Sequence, residues 1–422
     1  MNKKWQICEV DKEKVEKLKS KYGISELLAT ILVNKNITTQ KEIEEFLNPT
    51  RNDFFDPFLI NDMDIAVERI RKAIETQEKV IIYGDYDVDG ITSITVLKSF
   101  LKDVGLDVDY YIPNRLEEGY GLNKNAIDEI AKNKYTLMIT VDCGISAIEE
   151  VNYANSLGIE VIVTDHHEPG EELPKALAVI DNKRKDSKYP FRELAGVGVA
   201  FKVSQALAQS MNVKEEEYLK YLDIVCVGTI SDIVPLISEN RVITKLGIKL
   251  LKQTRNTGLK AIINSSGYSQ INSTTISFGV APRINACGRM GKAEQALKLL
   301  LSKDIYEVNK LTQELNNYNR ERQEIEKEIF ESVLNKIEQN NLDKNRTIVV
   351  GGEGWHHGVI GIVSSKITEK YFKPSILLSF EEDGTGKGSG RSIPGFDLHE
   401  ALMKCENCLE KFGGHSMAVG LT

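Results

Sequence analysis

Acidic residues crowd short stretches of this chain in a pattern that suits cation chemistry. Gly84-Asp85-Tyr86-Asp87-Val88-Asp89-Gly90 places three carboxylates close together, and further acids stand at Asp142, in Asp165-His166-His167, and at Asp232. Each group follows a short apolar run: Val80–Tyr83, Leu137–Val141, Val161–Thr164 and the 224–230 segment. In an open parallel α/β sheet, ligands bind outside the carboxyl ends of the strands. If all four runs deliver their acids there, the carboxylates converge on one edge. Carboxylates so close together must take up protons or share cations. Oxygen ligands with one or two imidazoles suit Mg2+ or Mn2+, and the missing thiolates argue against structural zinc. Two ions, or one tight and one weak, are expected.

Other readings of the same residues are weaker. A lone Asp after a strand is often a helix N-cap, which is the competing account of Asp142 and Asp232. Asp-x-Asp-x-Asp-Gly also opens a calcium-binding EF-hand loop, but the position that should hold the closing glutamate is Val96, and a strand rather than a helix precedes it. A buried structural His-His pair would account for the two imidazoles alone, yet it does not explain acids at four element ends.

The elements that must position these groups follow from periodicity. Three short helical patterns, Asp11 to Lys21, Ser25 to Val33 and Thr39 to Leu47, form a helical preface over 1–50. From Val80 onward, β-branched runs (with Val108 to Ile112 and Ala178-Val179-Ile180 added to those above) alternate with amphipathic stretches, which predicts a doubly wound parallel sheet. A helical region spans roughly Val197 to Leu251. Apolar residues at 305, 308, 311, 315, 318, 325, 329, 333 and 337 then mark one long helix of about 50 Å. Beyond Asn345 the pattern returns to strand at Thr347-Ile348-Val349-Val350 and becomes Gly-rich. The expected architecture is therefore α/β: a doubly wound parallel-sheet domain over 51–300, a connecting helix over 301–343, and a smaller α/β domain over 344–422.

Bulk properties exclude other classes. The chain has 422 residues, 41% hydrophobic and 27% charged, and no apolar run approaches the roughly 18 residues of a membrane span. Met1-Asn2-Lys3-Lys4-Trp5-Gln6 has no apolar stretch behind it, so a signal peptide is not expected and a cytoplasmic location is. Six scattered cysteines do not make a disulfide scaffold. Cys405 and Cys408 have ligand-like spacing but no second pair, and read as two positions on a helix. A net charge of −8 argues against a polyanion-coated protein, yet a nuclease that gathers carboxylates around cations can be acidic overall and keep a local basic track.

The motifs, taken in order, carry a family resemblance. Gly84 to Thr92, Val141-Asp142-Cys143-Gly144, Asp165-His166-His167 and Gly228-Thr229-Ile230-Ser231-Asp232 resemble the four motifs of the DHH phosphoesterase superfamily, and the variant beginning Asp-Tyr-Asp is most similar to its RecJ branch. The resemblance extends through Ala281-Pro282-Arg283-Ile284-Asn285-Ala286-Cys287-Gly288-Arg289-Met290 to Gly413-Gly414-His415, typical of a DHHA1 domain. It implies a single-stranded-DNA-specific 5′-to-3′ exonuclease that releases mononucleotides by divalent-metal-activated water attack, with Mn2+ or Mg2+ as cofactor, acting in DNA repair and recombination. Single-stranded DNA is the implied partner, with a single-strand-binding protein and a helicase beside it. The domain over 51–300 is the implied catalytic one and that over 344–422 the implied substrate-binding one, with the catalytic cleft between them. Carried over by position, Asp87, Asp89, Asp142, His166 and Asp232 are metal ligands, with Asp85 a weaker candidate for a second ion. His167 contacts phosphate or donates a proton, and Asp165 orients its neighbour.

The substrate track rests on basic and aromatic residues near turns. Arg115, Arg283, Ser389 and Arg391 are the phosphate-binding residues that the resemblance implies, with His415 facing the cleft. Asn285 and Arg289 are added from the Arg-Ile-Asn-Ala-Cys-Gly-Arg run. Trp355, on a Gly-rich loop, is offered for base stacking, against its alternative as core packing. Two rival readings remain: a DHH-family oligoribonuclease or cyclic-dinucleotide phosphodiesterase, whose members carry a histidine where this chain has Ile81-Ile82-Tyr83, and a non-catalytic replication scaffold, which would be expected to lose motif carboxylates. Relatives continue past Gly-Gly-His into an OB-fold, so the chain reads as truncated, with weak and salt-sensitive DNA binding.

Overall fold

The computed structural model describes residues 7–422, so the hexapeptide weighed above as a possible leader lies outside the described residues. The three N-terminal helical patterns form helices Lys12–Tyr22, Glu26–Asn34 and Gln40–Leu47, each started by a polar cap. Asp11, Ser25 and Thr39 accept from backbone N–H groups of the first turn, and Glu42 returns a bond to complete a capping box at Thr39.

Five β-branched segments form β1 (Val80–Gly84), β2 (Asp109–Tyr111), β3 (Leu137–Val141), β4 (Glu160–Asp165) and β5 (Ala178–Asp181), ordered β2-β1-β3-β4-β5. Every pairing is parallel. Parallel strands need both faces covered, and alternate residues go to two different cores. Val80, Ile82, Ile139 and Ile162 join the larger core with the helices Met63–Thr76, Val88–Asp103 and Gly196–Ser210. Ile81, Tyr83, Met138 and Val161 pack on the opposite face against Ile127, Ile130 and Val151. This strand order puts the topological switch point between β1 and β3, where crevices open at the carboxyl edge.

The region after the sheet is helical, as expected, and the 224–230 run lies inside the helix Leu222–Ser231. All of its residues from Leu222 to Ile230 are buried, so continuous burial, not strand character, explains the apolar composition. The long helix is Ile305–Gln339, 35 residues, or about 52 Å. Ile305 itself is 55% exposed and falls off the buried face. Val308, Leu311 and Leu315 belong to the large core, whereas Ile329, Val333 and Ile337 belong to the core of the C-terminal unit. One rigid rod thus has an end in each.

That unit is a mixed sheet of β6 (Ile348–Glu353), β7 (Ser375–Phe380), β8 (Gly386–Arg391), β9 (Phe412–His415) and β10 (Ala418–Leu421), ordered β6-β7-β8-β10-β9. The helix His357–Tyr371 covers it. Cys405 and Cys408 are exposed and lie beyond the helix Leu398–Met403, Cys405 at the cap and Cys408 at the end of a 3-10 turn, Glu406–Cys408, so they do not share an α-helix as expected. Among the described residues, no helix is long and apolar enough to cross a membrane.

Candidate metal centre and phosphate cleft

The acids gather at the switch point, but they arrive by different routes. Asp85 and Asp87 follow β1, and Asp87 caps the helix Val88–Asp103 through Oδ1, which accepts from the N–H groups of Asp89 at 2.8 Å and Gly90 at 3.1 Å. Asp89 sits in the first turn of that helix, buried, and accepts from Gly196 N at 2.6 Å and Val197 N at 2.9 Å. It therefore ties a second helix N-terminus to the site, where a negative charge is favoured. Asp142 follows β3 in a left-handed conformation, φ +60°. For a non-glycine residue that conformation stores roughly 1–2 kcal/mol, held by the surrounding structure. It is not a helix N-cap: the next helix is Ile148–Ser156, with Ala147 at its cap.

Asp232 is the correction to the strand-end picture. It is the C-cap of the helix Leu222–Ser231, so it reaches the cluster from a helix end. The close approach explains the motif glycine before it: a Cβ on Gly228 would lie 2.3 Å from Thr92 Oγ1 and 3.0 Å from Asp89 Oδ1.

His166 stands at the centre of these acids. Its Nε2 is 3.1 Å from Asp142 Oδ1 and 3.7 Å from Asp89 Oδ2, and its Nδ1 is 3.7 Å from Asp232 Oδ2. Neither nitrogen has a hydrogen-bond partner although both are buried, and Asp85 Oδ1 is orphaned in the same way. Burial lowers the His166 pKa, so the ring is neutral and offers a lone pair. Burial, then mutual repulsion, pushes Asp89 and Asp232 up to about 7 and holds Asp85 and Asp142 well above the usual carboxylate range. Unpartnered donors amid repelling acids fit divalent cations. Asp89, His166 and Asp232 form one ligand group and Asp85, Asp87 and Asp142 another, while Asp142 also lies within reach of His166 and His167. Asp142 thus stands within ligand distance both of His166 and of the Asp85–Asp87 pair.

His167 differs from its neighbour. Its Nδ1 lies 2.7 Å from Asp165 Oδ1. Burial disfavours its charge, but the hydrogen bond and charge of Asp165 outweigh this and push the pKa up to about 9. Asp165 also accepts from the backbone N–H groups of His166, His167 and Ile145. Burial raises its pKa, but the hydrogen bond and charge of the His167 ring, and then the Ile145 N–H, outweigh this and lower it. Asp165 therefore orients His167 and fixes the turn, and a charged His167 suits phosphate donation better than metal ligation.

Facing this acidic centre is a basic cleft. Arg289 donates to the carbonyl of Gly358 at 3.0 Å, linking the two units. Its pKa is lowered to about 10 by burial, then by Arg115, Arg322 and Arg391. Four guanidiniums are close enough to repel. Arg115 lies over the Tyr86 ring at 4.9 Å. Arg391 bonds Ser389 Oγ at 3.0 Å, and both press on Gly361, where a Cβ would lie 3.0 Å from Ser389 Oγ and 3.1 Å from an Arg391 nitrogen.

The remaining track residues are placed elsewhere or otherwise engaged. Arg283 is used internally, bonding Asn316 Oδ1 at 2.6 Å and the carbonyls of Gly279 and Ser265. Asn285 accepts from Val88 N at 3.3 Å and so supports the Asp85–Asp87 loop. Trp355, half-buried, packs against the C-terminal core and over Gly352, with Lys336 5.5 Å from its ring, as its core-packing alternative expects. His415 is exposed on the edge strand β9. It stands in one register row with Ala418 and Arg391, about 9–10 Å from the latter across two strand spacings and on the same face.

Three residues near the centre escaped the sequence reading. Tyr120 Oη lies 3.3 Å from His167 Nδ1 and donates to the Asp142 carbonyl at 3.2 Å; its only signal was a Gly-Tyr-Gly turn. Asp181 ends β5 opposite Asp165 in register, and burial pushes its pKa up to about 7. It follows a β-branched run just as the recognised acids do. Arg322, on the long helix, had no local signal.

A parallel sheet with buried carboxylates and a neutral histidine at its switch point, faced by Arg115 and Arg289 of the same unit and Arg391 of the C-terminal one, is the arrangement of a DHH-type fold. Residues 79–229 match the DHH family N-terminal domain, and residues 344–422 match the DHHA1 domain. The chain is 43% identical over 422 residues to the single-stranded-DNA-specific exonuclease RecJ of Bacillus subtilis (strain 168), covering 99% of this chain and 53% of that relative. It is 35% identical over 418 residues to RecJ of Dickeya dadantii (strain 3937), covering 94% and 72% respectively. The crystal structure of RecJ in complex with Mn2+ from Thermus thermophilus superposes with a TM-score of 0.83 at 30% identity, covering 98% of this chain and 58% of that one. A crystal structure of exonuclease RecJ bound to manganese gives 0.78 at 34% identity, covering 86% and 90%. The chain belongs to the RecJ family. It spans about half the length of the Bacillus relative.

Proposed function

We propose that the chain hydrolyses single-stranded DNA from its 5′ end, releasing 5′-mononucleotides, as a metal-dependent exonuclease of DNA repair and recombination in the cytoplasm. The carrying observation is the pairing of a buried carboxylate–imidazole centre with a cleft of converging arginines. The first suits divalent cations, and the second suits the phosphates of a strand end. The Mn2+ and Mg2+ found in RecJ crystal structures support the same ions here. A single-strand-binding protein and a helicase enter as partners through family membership alone.

Asp89, His166, Asp232 and Asp142 would hold one ion, with Asp85, Asp87 and the shared Asp142 holding another. A divalent ion so held supplies acidification of a water and neutralises charge on the phosphate oxygens. The protein's own groups do the rest. Charged His167, oriented by Asp165, donates to a phosphate oxygen, and Arg115, Arg289 and Arg391 bind the terminal phosphate. Asn285 steadies the first acidic loop. The division into 1–50, 51–300, 301–343 and 344–422 is proposed on the same grounds, since the metal centre lies in the second segment and Arg391 in the last.

A time course on 5′-end-labelled single-stranded DNA and on short RNA, with Mn2+, Mg2+ or EDTA, tests this reading. Mononucleotide release from DNA that EDTA stops is expected. Asp142→Ala should abolish it with the fold retained, and near-normal turnover of that variant in Mn2+ would overturn the assignment. Removing the 5′-phosphate should slow the wild type and leave Arg391→Ala indifferent; equal responses remove Arg391 from the cleft.

A further inference from the structure

A groove of about 640 Å3 lies behind the helix that ends at Asp232, lined by residues such as Asn48, Ile230, Leu236 and Ser273. Arg241, Lys245, Lys249 and Lys252 form one wall. On the helix Ser238–Leu251 and its C-cap these positions fall within about 80° of arc and extend about 16 Å, as 3.6 residues per turn and 1.5 Å per residue require. No acidic side chain lines the groove, and among the described residues the three lysines enter no ion pair. Arg241 is held in place, donating from Nε to the Phe46 carbonyl at 2.9 Å with its guanidinium 4.4 Å from the Phe46 ring. For a chain of net charge −8, an uncompensated basic stripe is an arrangement in need of an anion.

The stripe has a direction. Ile230, on the groove wall, stands two residues before Asp232, and a short connection containing Leu236 turns back into the basic helix. Arg241 therefore lies at the metal-centre end and Lys252 at the far end. We infer that this groove is a second binding track, for the phosphodiester backbone of a single-stranded polynucleotide leaving the metal centre. The inference rests on the nuclease reading for the identity of the strand. The regular cation spacing favours a repeating anion over a single small one. The half-buried apolar side chains Leu236 and Ile248 favour an unpaired strand, whose base faces are free to lie on them.

Binding is measured on the full chain in EDTA, by anisotropy of labelled oligo-dT of about 25 nucleotides, across a salt series. The variant is Lys245→Gln, Lys249→Gln and Lys252→Gln together, all exposed positions. Losing three phosphate contacts should weaken binding on the order of 10- to 50-fold near 0.15 M salt and reduce the slope of log K against log salt by about 2. Arginine at the same three positions should restore both. Hydrolysis of a tetranucleotide, too short to span centre and stripe, serves as the comparison in Mn2+. Unchanged affinity and slope for the long strand overturn the inference. So does an equal loss for tetramer and long strand, which would put the lysines at the metal centre. Stripe-dependent binding of an Asp/Glu-rich peptide with intact DNA binding would assign the groove to an acidic protein segment instead. If the wild type cuts neither the tetramer nor the long strand in Mn2+ while stripe-dependent binding persists, the nuclease reading falls and the groove stands as a polynucleotide site.

Discussion

His166 and His167 are adjacent in sequence and opposite in charge, and the contrast comes from which carboxylate each ring meets. His166 is buried among acids that make no hydrogen bond to it, whereas His167 is fastened to Asp165. His167→Gln should therefore reduce kcat about 10²- to 10⁴-fold, the usual loss for a proton donor. Asp165→Asn should move the alkaline limb of the kcat–pH profile from near 9 toward the unperturbed value of about 6.5; an unmoved limb would separate His167 from the chemistry. Trp355 gives the opposite test. Trp355→Ala should lower stability by about 2–3 kcal/mol in urea unfolding, without the ~1–3 kcal/mol loss of nucleic-acid affinity that a stacked base would entail. The acids and histidines were legible as residue types. The engagement of Arg283 with Asn316 and of Asn285 with Val88 was not, because both partners are distant in sequence.

At the scale of elements, strands were easier to foresee than their ends. Burial on both faces made β1, β3 and β4 largely apolar runs, and the same burial gave the helix Leu222–Ser231 a similar composition within the helical region. The long helix matters through its phase. One residue inserted between Asn319 and Ile325, away from both cores, would rotate the C-terminal unit by about 100° and shift it 1.5 Å. The contact of Arg289 with Gly358 would be lost and Arg391 turned away from Arg115. Hydrolysis of a 5′-phosphorylated strand should fall at least about 100-fold, as misplaced groups do, while circular dichroism shows both units folded. Retained activity would mean that the two sides of the cleft need no fixed geometry.

At the scale of the whole molecule, gathering buried acids at one sheet edge ties folding to protonation. Asp89 and Asp232 have folded pKa values pushed up to about 7, against about 3.9 when unfolded. Without metal, the stability they contribute is complete below about pH 4 and lost as pH rises through 7. The Tm of the metal-free chain should accordingly fall between pH 4 and 8. Mn2+ should raise Tm more at pH 8 than at pH 5, because at low pH it competes with protons. A calorimetric series with and without EDTA checks both signs, and a metal effect independent of pH would mean that these carboxylates are not the ligands.

By itself the sequence determined the elements with strong local signals: capped N-terminal helices, five β-branched runs, one long amphipathic helix, and the residue types of a cation site. Those signals are periodic or adjacent, so they survive in one dimension. Only the tertiary structure decided which acids come within ligand distance of one another, that Asp232 comes from a helix end, that Tyr120 stands against His167, and that Trp355 packs on a core. These depend on contacts between residues tens to hundreds of positions apart, where burial and neighbouring charge, rather than residue type, set protonation and role.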